Sequence, residues 1–451
     1  MFAAREKLEK LEAAQHRTRE LGQSKTSMGR ERVSHVSRSA TVAWCPLHDR
    51  SGLLAAGTVA NAISDSFDAS AALEIFSLEL SSSSSEMTLL GSVQTSERFH
   101  RLAWGAGGDP RSLPYGLLAG GLVDGTVKIY NPAAMADDAS DPLLVNLERR
   151  TGGVRALEFN PGMPHLLASG AGDSDVLITD LTKPGSPSYY SPGAKSSGPA
   201  SDISCVAWNR KVQHILASTS HGGESVVWDL KQKRPVISFH DPNNRAQRNS
   251  VIEWSPDATT RVLVASEDDR NPVLQVWDLR NAFAPLLELR SHHKGVLSAS
   301  WCPFDANLLI SSGKDNRTII WDPETAECLS ELPPAANWNF HVSWSPKMVG
   351  LVSCASFAGD ISVYSLQASN RHALRAIPFT LPTSSLRPAY LSRCISPALC
   401  PSPLDPHSPS WQRIAALSHP SHLLICSCFA VSPSCLTLPL SRPSLPVAPQ
   451  P

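Results

Sequence analysis

The stretch from Ser291 to Asp322, SHHKGVLSASWCPFDANLLISSGKDNRTIIWD, decides the fold. It opens on His292 or His293 before Gly295 and reaches an aromatic anchor at Trp301, followed by Cys302-Pro303. A small apolar run then leads through Ser311 or Ser312 to a polar turn at Asp315-Asn316, and the stretch ends on Trp321-Asp322. The turn carboxylate can accept from an imidazole, while the hydroxyl and the indole satisfy the remaining polar positions. His292, Ser311, Asp315 and Trp321 are therefore expected to form one hydrogen-bonded network.

The same plan recurs outward in both directions. Anchors stand at Trp44, Trp104, Phe159, Trp208, Trp254, Trp301 and Trp344, and Trp44, Trp254, Trp301 and Trp344 carry a proline two residues on. Each is answered by a short β run: Leu73–Phe76, Val127–Tyr130, Val176–Asp180, Val226–Asp229, Gln275–Asp278, Thr318–Asp322 and Ile361–Tyr364. The anchor spacings approach the period of about 40 to 45 residues that marks WD repeats. The chain is thus expected to be all-β, a seven-bladed WD-repeat β-propeller. A four-stranded blade has two apolar faces and cannot bury either alone, so blades stack and the ring closes. Blade one departs from the plan with an insert from about Thr58 to Ala71.

Closure needs one more strand. The last strand ends near Leu366 and leaves blade seven without its outermost member, whereas Arg32–Ser37 alternates and lies just before the first inner strand, Ala40–Trp44. The two ends of the propeller are expected to meet in blade seven. The propeller then covers residues 31 to 367. Residues 1 to 30, dense in Glu, Lys and Arg, read as a short charged N-terminal helix or disordered extension. Residues 368 to 451 read as a disordered Pro/Ser/Leu-rich tail in which Pro420 and Pro433 interrupt the one uncharged run, Ile414–Ser441.

Forty basic and 41 acidic residues give a net charge of −1, which offers no global field for nucleic acid or anionic lipid. None of the ten cysteines has the paired spacing of a zinc site. No HExxH, phosphate-binding loop or nucleophile elbow appears, and the His292–Asp315 pair is needed by the repeat itself. The chain reads as a non-enzyme with no cofactor, no metal and no catalytic residue.

Particular segments narrow the family. Ser37–Trp44, Ser96–Trp104, Gly120–Gly125, Trp208–Gln213, Lys314–Ile319 and Asn337–Phe340 resemble the N-terminal propeller of the large subunit of the COPII outer coat, the SEC31 family, particularly its plant and algal members. The resemblance runs from about Val33 to Gln367. It implies a scaffold in vesicle budding from the endoplasmic reticulum, cytoplasmic and peripheral at exit sites and on COPII vesicles. The implied partners are the smaller WD-repeat subunit, other propeller copies at cage vertices and, indirectly, the inner coat. The blade-insertion, solenoid and proline-rich regions of that family are not recognisable after residue 367, so the expectation is a truncated member. A second class of function is also open. Trp277-Asp278-Leu279-Arg280 fits the Trp-Asp-x-Arg pattern of substrate receptors for cullin-type ubiquitin ligases, where Arg280 would project to a carboxylate on the adaptor.

Overall fold

The computed structural model describes residues 31–60, 71–80, 84–107, 111–137, 141–147, 150–173, 175–193 and 201–366. The expected N-terminal helix, the tail and the centre of the blade-one insert lie outside these residues. The described strands form seven four-stranded antiparallel sheets, whose inner strands begin at Ala40, Phe99, Ala156, Ile203, Asn249, Val296 and Asn339. Blade six shows the plan, with Val296–Trp301 innermost, then Leu309–Gly313, Thr318–Asp322 and Glu327–Glu331. Neighbouring inner strands touch in cyclic order, and those of blades seven and one also meet. The ring is closed.

Blade seven is built from both ends of the propeller. Asn339–Trp344, Leu351–Ser356 and Asp360–Ser365 come from its end, and Glu31–Val36 pairs antiparallel with Asp360–Ser365 as the outermost strand. That first strand also reaches blade one. His35 forms a parallel bridge to Glu86, its amide donates to the Ser85 carbonyl at 2.8 Å, and its carbonyl accepts from the Met87 amide at 3.1 Å.

Apolar side chains are buried between blades rather than within them. Val36, Trp44 and Phe76 share one cluster with Leu351, Ile361 and Val363, which joins blades one and seven. Phe99, fully buried, lies between Gly57 of blade one and Gly120 of blade two, where an added Cβ would stand 2.7 and 2.3 Å from its ring. Only glycine lets the two strands close on that ring.

The anchors add direction to this packing. The indole of Trp208 donates to the Glu158 carbonyl at 3.1 Å, that of Trp254 to the Ala207 carbonyl at 3.0 Å, and that of Trp344 to the Ser300 carbonyl at 2.9 Å. In each case the acceptor is the residue before the anchor of the preceding blade. Where asparagine directly follows the anchor, its side chain makes a similar tie. Asn160 donates to the Gln213 carbonyl at 2.7 Å and Asn209 to the Thr259 carbonyl at 3.0 Å, each reaching into the next blade.

Among the described residues one α-helix interrupts the strands, in a place where none is expected. Pro132–Asp137 follows the third strand of blade two, with Asn131 Oδ1 accepting from the Ala133 amide at 3.1 Å and proline at the first helical position. Met135 is buried, and its backbone lies against Gly91 of blade one.

The indoles of the Trp-Asp pairs are not equivalent. Trp228 donates to Ser218 Oγ at 2.9 Å and Trp321 to Ser311 Oγ at 2.7 Å, but Trp277 Nε1 is buried without a partner. The register explains this. Ser218 and Ser311 face the residues two before their tryptophans, and the corresponding partner of Gln275 is Val264, which has no acceptor. Trp277→Phe should therefore cost about 1 kcal/mol less than Trp228→Phe or Trp321→Phe, because no hydrogen bond is lost. Equal losses in denaturant midpoint for the three variants would contradict this account.

Candidate functional site

The blade-six residues stand in a line. Trp321 Nε1 donates to Ser311 Oγ, Ser311 Oγ lies 2.8 Å from His292 Nε2, and His292 Nδ1 is 3.1 Å from both oxygens of Asp315. An indole only donates and a carboxylate only accepts, so the network is satisfied when Nδ1 carries the imidazole proton and Nε2 accepts from the hydroxyl. Asp315 also accepts from the backbone amides of His293 at 2.9 Å and Arg317 at 3.2 Å. Burial works against its charge, but the His292 hydrogen bond and the His293 amide outweigh that and hold the carboxyl at about 2. The side chains of His292 and Asp315 are only 0 and 5 % exposed, which leaves a substrate no approach. We propose that these four residues hold the blade.

Blade three carries a counterpart that the His pattern conceals. Arg150 stands nine residues before Phe159, as His292 stands nine before Trp301. Its guanidinium bonds both oxygens of Asp173, at 2.8 and 2.6 Å, and the Ser169 carbonyl at 3.2 Å. The planar fork replaces the imidazole and reaches the same turn.

Trp277, Asp278 and Arg280 are arranged otherwise than a docking pattern needs. Trp277 is buried, and Arg280, although 75 % exposed, turns back so that its Nε lies 3.0 Å from both oxygens of Asp278. That bond to Arg280 is the main reason the Asp278 carboxyl falls far below its usual range. The charge expected to project toward a partner is engaged within its own turn.

A further collection of charge is one that the repeat pattern does not announce. A cavity of about 560 Å³ is lined by the inner strands of all seven blades. The residue immediately before each anchor lines it: alanine in blades one, two and four, serine in six and seven, but Glu158 in three and Glu253 in five. Each glutamate crosses to another blade. Glu158 Oε2 accepts from the Trp208 amide and Glu253 Oε2 from the Trp301 amide, both at 2.6 Å. Arg210 lies between them, 3.2 Å from Glu158 and 3.9 Å from Glu253. Burial raises both carboxyls, Glu253 to about 7, against the pull of Arg210. Arg101 and His341 also line the cavity. A charge at a position otherwise held by alanine or serine is the sequence signal that marks this site.

At the ends where the inner strands begin, Glu267 gathers basic side chains from three blades. His221, Arg248 and Lys314 lie 3.6, 3.5 and 3.3 Å from its carboxylate. Segments that suggested a family supply blade-to-blade ties here as well. Asn339 donates to Thr318 Oγ1 at 2.9 Å and Asn316 to the Ala335 carbonyl at 2.9 Å. Among the described residues the five cysteines form no disulfide, and only Cys328 is exposed.

Residues 283–322 match the WD domain, G-beta repeat family. The chain is 39% identical over 373 residues to the protein transport protein SEC31 of Dictyostelium discoideum, covering 75% of this chain and 27% of that one. It is 45% identical over 347 residues to SEC31 homolog B of Arabidopsis thaliana, covering 76% and 31%. The chain thus spans under a third of the length of the curated relatives it matches. A chain in a solved structure of COPII on membranes, outer coat vertex, superposes with a TM-score of 0.65 at 34% identity, over 74% of this chain and 86% of that one.

Proposed function

The chain belongs, through its propeller, to the SEC31 family of protein transport proteins, and from that premise we propose that it is a scaffold of the COPII outer coat that acts through contacts at cage vertices. The observation that carries this reading is the similarity to the vertex chain, 86% of whose length is matched at 34% identity. Its work would consist of surface complementarity, with rim loops making contacts that are individually weak and gain strength from repetition on a lattice. The partners on this reading are the smaller WD-repeat subunit and further propeller copies. The place of action is the cytoplasmic face of endoplasmic reticulum exit sites and of COPII vesicles. The ligase-adaptor reading has less support, since Arg280 is already paired with Asp278.

The test is an exchange. Residues 31–366 replace the propeller of the full-length Arabidopsis relative, and the chimera is supplied to cells depleted of that relative. Cargo export should recover to within about twofold of the parent, because rod-borne multivalency is restored while the vertex surface comes from this chain. A chimera that is expressed and folded yet stays cytosolic, without joining coated membranes, would show that this propeller does not make vertex contacts.

A further inference from the structure

We propose that the central channel is a binding site for a small tetrahedral oxyanion, of the sulfate or phosphate type, held by Arg101 with His341 and Arg210. Three observations converge on it. The cavity is large enough, at about 560 Å³, for such a group with part of the molecule that carries it. Arg101 lines it and, although its charge acts on Glu158 and Glu253, its side chain forms no hydrogen bond or close ion pair among the described residues, so five N–H donors in a rigid fork are left for a ligand. His341, 7% exposed, lines the same cavity and carries a buried Nδ1 with no partner. A buried nitrogen left unsatisfied in this way is costly unless something binds it.

The charge balance sets the sign of the ligand. The lining carries Arg101, Arg210 and Lys347 against Glu158 and Glu253, with Cys205 and His341 as the other titratable groups. Both carboxyls are raised by burial, Glu253 to about 7, so near neutrality the cations exceed the anions. Burial, and then the Arg101 charge, lower His341 to about 3, so the imidazole is neutral and can donate without adding charge. A bound dianion would favour the protonated form of Glu253. Binding should therefore take up protons, and affinity should fall as pH rises through about 7.

Sulfate is the suitable probe, because it does not titrate between pH 6 and 8. Calorimetric titration of the full chain with sulfate at constant ionic strength should show saturable binding at one site per chain. Affinity should drop at least about tenfold in Arg101→Gln and stay unchanged in Arg290→Gln, an exposed arginine paired with Glu288. In the wild-type chain it should be about tenfold tighter at pH 6 than at pH 8, the change in the protonated fraction of a group titrating near 7. The pH series does not depend on whether the variants fold. No saturable heat would overturn the proposal, as would equal affinity at the two pH values or an Arg290→Gln loss as large as that of Arg101→Gln.

Discussion

A chain that begins at Arg38 should be less stable than one that begins at Glu31 by at least about 3 kcal/mol, and should aggregate where the longer one stays in solution. The seven-residue difference removes the whole strand Glu31–Val36. Val36 is 4 % exposed in the cluster that joins blades one and seven, and a buried valine alone contributes about 1.5 to 3 kcal/mol. The ladder to Asp360–Ser365 is lost with it, as are the bonds of His35 to the Ser85–Met87 segment. What remains in blade seven is an unpaired strand edge, and open edges template association. Equilibrium denaturation and light scattering of the two chains measure both effects. Coincident denaturation curves would mean that closure does not depend on this strand.

Asp315→Ala is expected to cost on the order of 4 kcal/mol. The substitution leaves the buried His292 imidazole facing an apolar methyl, at about 1 to 3 kcal/mol, and also takes the charged acceptor from the more exposed amides of His293 and Arg317. A pH signature separates this from a simple packing defect. Asp315 titrates at about 2 in the folded chain against an ordinary 3.8, so its folded pKa is depressed. Its contribution is complete above the unfolded value and disappears as pH falls from about 4 toward 2, a change of about 2 kcal/mol in the wild type that the alanine variant should lack. If the two proteins lose stability in parallel over that window, Asp315 is not the acceptor that the geometry indicates. On the proposed scaffold role, contacts with coat partners should weaken only as far as folding does.

The parts of this architecture that repeat within a blade were open to reading from the amino-acid order. Anchors, answering strands and the closing strand all follow from local period and from the need to bury two faces, and these use residues close in sequence or at the two ends. What escaped such reading lies across blade boundaries. The Trp208 indole and the Glu158 carbonyl it meets are 50 residues apart, and nothing in either segment alone marks the bond. Arg150 was hidden for another reason, since a guanidinium does the work that the pattern assigns to histidine, and only the nine-residue offset from Phe159 connects them. His292 and His293 were equivalent on paper. The structure separates them by burial, placing the first ring in the network while the second contributes its amide. Arg280 fits a docking pattern as a string of letters, yet the same string places Asp278 close enough to capture it.

The strand that closes the ring is also a matter of time. Val36 pairs with Ile361, so on the ribosome the first strand of the propeller must wait for a partner made 325 residues later. At roughly 5 to 20 residues per second that delay is about 16 to 65 s. Throughout it, blades one to six can stack as they emerge while Val36 and the face it covers stay uncovered. The waiting edge is a natural client for a chaperone during synthesis, and slower translation lengthens the exposure without altering the finished fold.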